Sequence, residues 1–256
     1  MKKRGEPIAM LTAYDYLFAR LVDAAGVEVV LVGDSLAHVV QGLDSTIPVT
    51  LDEMIYHGRA VRRALERALL VVDMPFLTYQ VSREDALRNA GRVMKETGAS
   101  AVKLEGGSPE IVETVAALVR AGIPVMAHLG FTPQSVHALG GARVQGRDED
   151  AKARLLAEAL ALEAAGAFAV VLELIPGPVA AEVSAALQIP TIGIGAGVNC
   201  DGQVLVLHDM LGLNPDFQPR FLRRFGEVGE VAREAFGAYV QAVKSREYPA
   251  DEHTFA

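Results

Sequence analysis

A chain of 256 residues with one cysteine, Cys200, can close no internal disulfide and build no multi-cysteine metal site. That cysteine lies in the glycine-rich turn Gly195-Ala196-Gly197-Val198-Asn199-Cys200-Asp201-Gly202 with no histidine close by in sequence, which weighs against a thiol nucleophile. Bilayer-length apolar runs are also missing. Hydrophobic residues make up 51% of the chain, yet no run reaches the roughly 18–20 residues that a membrane span needs. The start, Met1-Lys2-Lys3-Arg4-Gly5-Glu6-Pro7, is basic, but Thr12 and Asp15 break the apolar stretch behind it, so it does not read as a signal peptide. A cytoplasmic protein is expected. Positive charge is scarce, 24 Lys and Arg against 32 Asp and Glu, and the net −8 argues against nucleic acid or membrane partners. Asparagine occurs only at Asn89, Asn199 and Asn214, and arginine outnumbers lysine. A GC-rich genome and selection at high temperature both leave that pattern. The apolar surplus needs an outlet other than a membrane, and subunit interfaces of a symmetric homo-oligomer supply one.

What the sequence does contain is one sentence written repeatedly. Val29-Val30-Leu31-Val32-Gly33-Asp34-Ser35 is an apolar run that ends in glycine, a carboxylate and a hydroxyl. Leu70-Val71-Val72-Asp73 and Ala101-Val102-Lys103-Leu104-Glu105 end the same way, Val125-Met126-Ala127-His128 ends in an imidazole, and Val170-Val171-Leu172-Glu173 ends in another carboxylate. Buried parallel strands read as such runs. A single acidic ending is often a turn residue or a helix cap; a series of them in order points to an active site.

Between these runs lie helical patterns. A first strand, Ile8–Leu11, leads to a helix over Asp15–Ala25, and Thr50 with Glu53 reads as a capping box for a helix reaching Arg67. Ser82, Ser108 followed by Pro109, and the stretch from Asp148 open further helices. Strands are expected at Pro190–Ile194 and Val204–Leu207, and a last helix at Glu227–Lys244. Ser35–Thr50 shows no helical period and reads as a long functional loop. Eight strands alternating with helices fit a single (β/α)₈ TIM barrel occupying residues 1–256. The alternative, a doubly wound open sheet, usually carries a Gly-x-Gly-x-x-Gly turn after the first strand, and Leu11-Thr12-Ala13-Tyr14-Asp15 has no glycine.

Strand parity bears on the chemistry. Lys103 and Glu105 share a side of their strand, Asp73 shares one with Val71, and Asp34 with Val32. If those sides face the barrel axis, Asp34, Asp73 and Glu105 converge and need a cation to offset their repulsion. Oxygen ligands without cysteine favour magnesium over softer metals. The bland alternative is three separate caps or salt bridges. Glu173, after an apolar run, suits a general base or an arginine's partner. Lys103 could form a Schiff base with a ketone; beside so many acids it should stay protonated and bind an anion. His128 could be a metal ligand, a donor to substrate or a core histidine, with the donor role favoured. Gly193-Ile194-Gly195-Ala196-Gly197 and the loop Gly140–Arg147, with Arg143 and Arg147, are weaker signals of anion binding.

These residues sit inside longer words. Thr12-Ala13-Tyr14-Asp15, Val32-Gly33-Asp34-Ser35-Leu36, Gln41-Gly42, Asp44-Ser45-Thr46, Pro48-Val49-Thr50, Asp73-Met74-Pro75-Phe76, Val102-Lys103-Leu104-Glu105-Gly106-Gly107, His128-Leu129-Gly130-Phe131-Thr132-Pro133-Gln134-Ser135, Val144-Gln145-Gly146-Arg147, Gly193-Ile194-Gly195-Ala196-Gly197 and His208-Asp209 follow in order over nearly the whole chain. Together they resemble the ketopantoate hydroxymethyltransferase (3-methyl-2-oxobutanoate hydroxymethyltransferase) family. The resemblance implies a barrel of the phosphoenolpyruvate/pyruvate-binding type, dependence on Mg2+, and 5,10-methylenetetrahydrofolate as co-substrate for a 2-oxo acid. It also implies a place in pantothenate synthesis and a large homo-oligomer, a decamer. It assigns Asp34, Asp73 and Glu105 to the metal, Asp34, Ser35, Asp73, Lys103 and His128 to the substrate, and Glu173 to proton abstraction. The departures are Ala37-His38, where small or apolar residues are usual, and a short amino-terminal extension.

Overall fold

Eight parallel strands close on themselves in chain order: β1 Ile8–Thr12, β2 Val29–Val32, β3 Leu69–Asp73, β4 Ala101–Glu105, β5 Val125–Gly130, β6 Ala169–Glu173, β7 Thr191–Ile194 and β8 Gly202–Leu205. The computed structural model describes residues 1–255. The ring is completed by β8 pairing with β1, with Ile8 opposite Gly202 and Met10 opposite Val204. A (β/α)₈ barrel is therefore the fold, as the alternating runs imply.

One buried apolar cluster takes side chains from every strand: Met10, Val29, Leu31, Val71, Ala101, Met126, Ala169, Val171, Ile192 and Val204. Such a set can meet only on the barrel axis. Each of its larger members stabilises the fold by about 1.5–3 kcal/mol through burial. Because side chains alternate, the next inward positions after Val71, Ala101, Met126 and Val171 are Asp73, Lys103, His128 and Glu173. The packed interior thus forms a floor, and the polar residues stand on it at the carboxyl ends of the strands.

The connecting helices begin where the sequence supplies caps. Asp15 accepts the amide of Phe18 at 2.9 Å, Asp148 that of Ala151 at 2.8 Å, and Ser82 that of Asp85 at 3.1 Å. Thr50 and Glu53 form the expected capping box. The helix they open ends at Arg62, five residues before the expected Arg67. The cause is distant in sequence: the buried carboxylate of Asp23 gathers the amides of Glu66, Arg67 and Ala68 at 3.2, 3.3 and 2.8 Å. Those donors then serve a turn instead of a helix. The long loop after β2 contains a one-turn helix, Leu36–Val39, that the sequence pattern did not announce.

The barrel lies in one compact unit, Met1–Val206, and a second unit begins at Leu207. The second holds the one-turn helix Leu207–Met210 and the helix Val228–Ser245, in which no residue is buried. β8 starts two residues earlier than expected, so His208 and Asp209 belong to the one-turn helix and do not end a strand. Among the described residues no helix is long and apolar enough to cross a membrane.

Candidate active site

Six adjacent strand ends, β1 to β6, deliver the polar groups. Tyr14, just beyond β1, places its hydroxyl 2.9 Å from Ser35 Oγ. Asp34 and Ser35 follow β2, Asp73 ends β3, Lys103 and Glu105 end β4, His128 lies on β5 and Glu173 ends β6. Asp34 arrives by a route that parity did not foresee. Val29 and Leu31 are the inward residues of β2, so Val32 faces outward and strand alternation would send Asp34 with it. Instead the chain turns at Gly33, with the amide of Leu36 bonded to the Gly33 carbonyl at 3.1 Å. That turn swings Asp34 over the barrel, where its own amide meets Asp73 Oδ2 at 3.1 Å. Gly33 leaves room for the Ser35 hydroxyl, since a Cβ would lie 2.7 Å from Ser35 Oγ and displace it.

The charges interlock. Lys103 Nζ lies 2.8 Å from Asp73 Oδ1 and 3.3 Å from His128 Nδ1. His128 stands between two glutamates, Nδ1 at 3.5 Å from Glu105 Oε1 and Nε2 at 3.2 Å from Glu173 Oε2. Glu173 is the least buried of the set, its side chain 17% exposed where the His128 ring is 3% exposed. Burial, with the charge of Glu105, pushes the Asp34 carboxyl up to about 6 against the pull of Lys103 and a hydrogen bond from Gln134. Burial also raises Asp73, although Lys103 opposes it. For Lys103 burial works downward, but Asp73, Glu105 and Asp34 outweigh it and drive its pKa upward. The same contest, won by hydrogen bonds with Glu105 and Glu173 over burial and the Lys103 charge, lifts His128 to about 9. Lys103 is therefore an ammonium, unsuited to attack a ketone.

The backbone beneath Glu173 is fixed on both sides. Gly130, with φ +96°, leaves room for the Glu173 carbonyl, which a Cβ at that position would meet at 2.2 Å. The amide of Phe131 then bonds that carbonyl at 2.8 Å. Next in chain, Leu174 adopts φ 48°, a left-handed conformation uncommon outside glycine. It is pinned by bonds of 2.9 Å from its amide to the Ile194 carbonyl and from the Gln145 amide to its own carbonyl.

Four carboxyl groups, Asp34, Asp73, Glu105 and Glu173, thus surround two basic groups, Lys103 and His128. Fully ionised, the set carries a surplus of two negative charges in a buried place, the charge of one divalent cation. Glu105 Oε1 is buried, with only the long 3.5 Å approach of His128 Nδ1 to offset its charge. Oxygen donors of this kind suit a hard cation. The carboxylates do not form a ready chelate, however: among the described residues no three His, Cys, Asp or Glu side chains are grouped closely enough to hold a metal.

The sequence profile of the ketopantoate hydroxymethyltransferase family matches residues 1–251. The chain belongs to that family. It is 58% identical over its full length to the 3-methyl-2-oxobutanoate hydroxymethyltransferase of Magnetococcus marinus, covering 95% of that protein. To the enzyme of the same name from Carboxydothermus hydrogenoformans it is 56% identical, covering all of this chain and 92% of the other. Among solved structures, the phosphoenolpyruvate phosphomutase of Streptomyces platensis subsp. rosaceus superposes with a TM-score of 0.65 at 17% identity, over 98% of this chain and 87% of that one. At that identity the likeness speaks for the barrel alone.

Within this family member, the residues singled out by sequence, Asp34, Ser35, Asp73, Lys103, Glu105, His128 and Glu173, come together at one end of the barrel. Cys200 does not join them. It lies before β8, half-buried, and burial pushes its thiol up, away from reactivity. Arg143 and Arg147 stay exposed on a loop whose Gln145 is bonded next to Glu173. Two further residues belong to the cluster although chemistry alone did not mark them. Gln134, 4% exposed, joins Asp34 Oδ2, the Met74 carbonyl and Glu105 Oε2 through its side-chain and backbone N–H groups. Tyr79, 1% exposed, bonds Gln134 Oε1 at 2.8 Å. Gln134 lay inside one of the family words without a role attached to it, and Tyr79 was signalled only by position, an aromatic in the turn after β3.

Proposed function

We propose that this protein transfers a hydroxymethyl group from 5,10-methylenetetrahydrofolate to 3-methyl-2-oxobutanoate, giving ketopantoate for pantothenate and coenzyme A synthesis. The observation that carries this reading is the buried excess of carboxylate at the strand ends, in a chain that belongs to the ketopantoate hydroxymethyltransferase family. Asp34, Asp73 and Glu105 would hold Mg2+ there by drawing together on binding, since among the described residues they are not grouped as a ready chelate. When bound, the metal would supply Lewis-acid polarisation of the 2-oxo acid's keto group.

The chain's own residues do the rest. The Lys103 ammonium and the Ser35 hydroxyl, the latter held by Tyr14, receive the carboxylate of the 2-oxo acid. Glu173 takes the proton from C3, a contribution of roughly 10²–10⁴ in rate for a positioned base. His128 Nε2, 3.2 Å away, orients the Glu173 carboxylate and stands as a donor beside the substrate. C3 then attacks the one-carbon unit of the folate; one water enters, a hydroxymethyl group remains on C3, and tetrahydrofolate leaves. Lys103 acts by charge and not as a Schiff-base nucleophile.

The decisive assay measures ketopantoate formation with and without methylenetetrahydrofolate and with and without a chelator. Turnover should need both folate and metal ion; turnover without folate would point to a lyase of the same barrel type and overturn the proposal. A cytoplasmic homo-oligomer, a decamer by family pattern, is part of the same reading. Its support is the helix Val228–Ser245, with Val231, Phe236 and Tyr239 at 66%, 69% and 60% exposed. Light scattering should give a multiple of 27.2 kDa; a monomer mass would contradict it.

A further inference from the structure

Gln134 is neutral, yet it touches two members of the carboxylate cluster, as many as His128 does. Its side-chain NH₂ donates to Asp34 Oδ2 at 2.9 Å and to the Met74 carbonyl at 3.0 Å. Its backbone amide donates to Glu105 Oε2 at 3.0 Å. Its Oε1 accepts from the Tyr79 hydroxyl at 2.8 Å and from Gln80 Nε2 at 3.2 Å. The turn after β5 is thereby tied to the ends of β2, β3 and β4 together.

The direction of the amide is forced. A carbonyl can only accept, so the group facing Met74 O must be the NH₂. The Tyr79 hydroxyl accepts the Glu105 amide at 3.1 Å, and its single proton has Gln134 Oε1 at 2.8 Å as its nearer acceptor, the Glu105 carbonyl standing off at 3.4 Å. A one-way chain results: Glu105 N–H to Tyr79 O–H, to Gln134 Oε1, with Gln134 N–H₂ pointing on to the Asp34 carboxylate. Reversal would set Gln134 Oε1 against Asp34 Oδ2 and Met74 O, three acceptors together.

We propose that Gln134 is a positioning residue that selects which oxygen of Asp34 and of Glu105 is presented to the ligand, and that Tyr79 sets its polarity. Gln134 engages Oδ2 of Asp34 and Oε2 of Glu105. The remaining oxygen of Glu105, Oε1, has only the His128 imidazole near it, at 3.5 Å. One amide residue thus tethers one oxygen of each carboxylate and leaves the orientation of the other to follow from that tether. The inference rests on the metal and 2-oxo acid roles proposed above.

The test compares the full-length protein with Gln134→Met, which keeps length and apolar stem, and with Tyr79→Phe, which keeps the ring. Binding of magnesium alone is followed by calorimetry, KM and kcat for the 2-oxo acid are measured, and melting without metal records folding. Partners that orient ligands typically contribute 10–100-fold in affinity or activity. Gln134→Met should therefore bind magnesium about 10–100-fold more weakly. Tyr79→Phe should move the same way by less, since Gln80 still donates to Oε1. A merely structural role would lower the melting temperature and leave magnesium affinity and KM of the folded protein unchanged, and that result overturns the proposal. If Gln134→Met does not fold, Tyr79→Phe decides by the same criterion. If the wild-type protein takes up no magnesium, the metal reading fails separately. The positioning role then stands or falls on the 2-oxo acid: unchanged KM and kcat in the variants sink it.

Discussion

Two buried aspartates on the same barrel behave in opposite ways. Asp23, 7% exposed, lies toward the amino end of β3, and Asp34, 4% exposed, lies beyond the carboxyl end of β2. Burial opposes the charge of both. At Asp23 the amides of Ala68, Glu66 and Arg67 outweigh it and hold the carboxyl below the usual range. At Asp34 burial, joined by Glu105, prevails and lifts the carboxyl to about 6. The amino end holds a second well-supplied carboxylate, Asp201, whose Oδ2 takes donors from Lys2, the Thr191 amide and the Thr191 hydroxyl at 2.9, 2.8 and 3.1 Å. One end of the barrel spends its carboxylates on holding the fold together. The other keeps them short of donors, in a state that a cation and a substrate can relieve.

The sharpest way to probe that contrast is at the base. Glu173→Gln preserves size and leaves the amino-end network untouched. Exchange of the C3 hydrogen of 3-methyl-2-oxobutanoate with deuterated solvent should fall roughly 10²–10⁴-fold, followed by NMR, while binding persists. Exchange at the wild-type rate would mean that another group removes the proton.

Next in size is the amino end. Asp23→Ala strands three backbone donors and should destabilise the protein by about 3 kcal/mol, a fall in melting temperature of roughly 6–12 °C for a chain of this size. The activity of the folded fraction should not change. The pH dependence has a fixed sign. A carboxyl depressed in the folded state stabilises above its unfolded pKa, about 3.9, and that stability drains away as pH falls through the folded value. The gap in melting temperature between wild type and variant should therefore be full at neutral pH and shrink below about pH 4. A gap that widens in acid would contradict the assignment.

The smallest effect should have the reverse sign. Asp34→Asn removes a crowded buried charge and should raise the metal-free melting temperature slightly, by about 1 kcal/mol of stability, while turnover collapses. If Asp34→Asn destabilises as Asp23→Ala does, the two ends do not differ in the way described.

Much of this was legible in the chain because strand and helix signals are local. Apolar runs fixed the barrel, and Asp15, Thr50, Ser82 and Asp148 marked helix starts through donors three residues away. What escaped was set by distant contacts. Asp23 ends a helix through amides 43, 44 and 45 residues away in sequence, and no periodicity within that helix records it. Parity brought Asp73, Lys103 and Glu105 inward, but for Asp34 it named the wrong side of the strand: β2 stops at Val32, and the turn at Gly33 resets the direction and brings Asp34 to Asp73 all the same. Gln134 went unassigned because an amide carries no charge to advertise its role; only its partners, 29 and 100 residues away, give it one.

Gly130 has a bearing on how such an enzyme can change over generations. It sits two residues past His128, and its missing side chain is what lets the Glu173 carbonyl come within 2.2 Å of where a Cβ would be. The separation of imidazole and carboxylate is thereby written into main chain and not into replaceable side chains. Neighbouring loops can drift and acquire new substrates by single substitutions. At this position even alanine would push β6 away from β5 and carry Glu173 with it, so the spacing of the two groups is inherited intact or lost in one step.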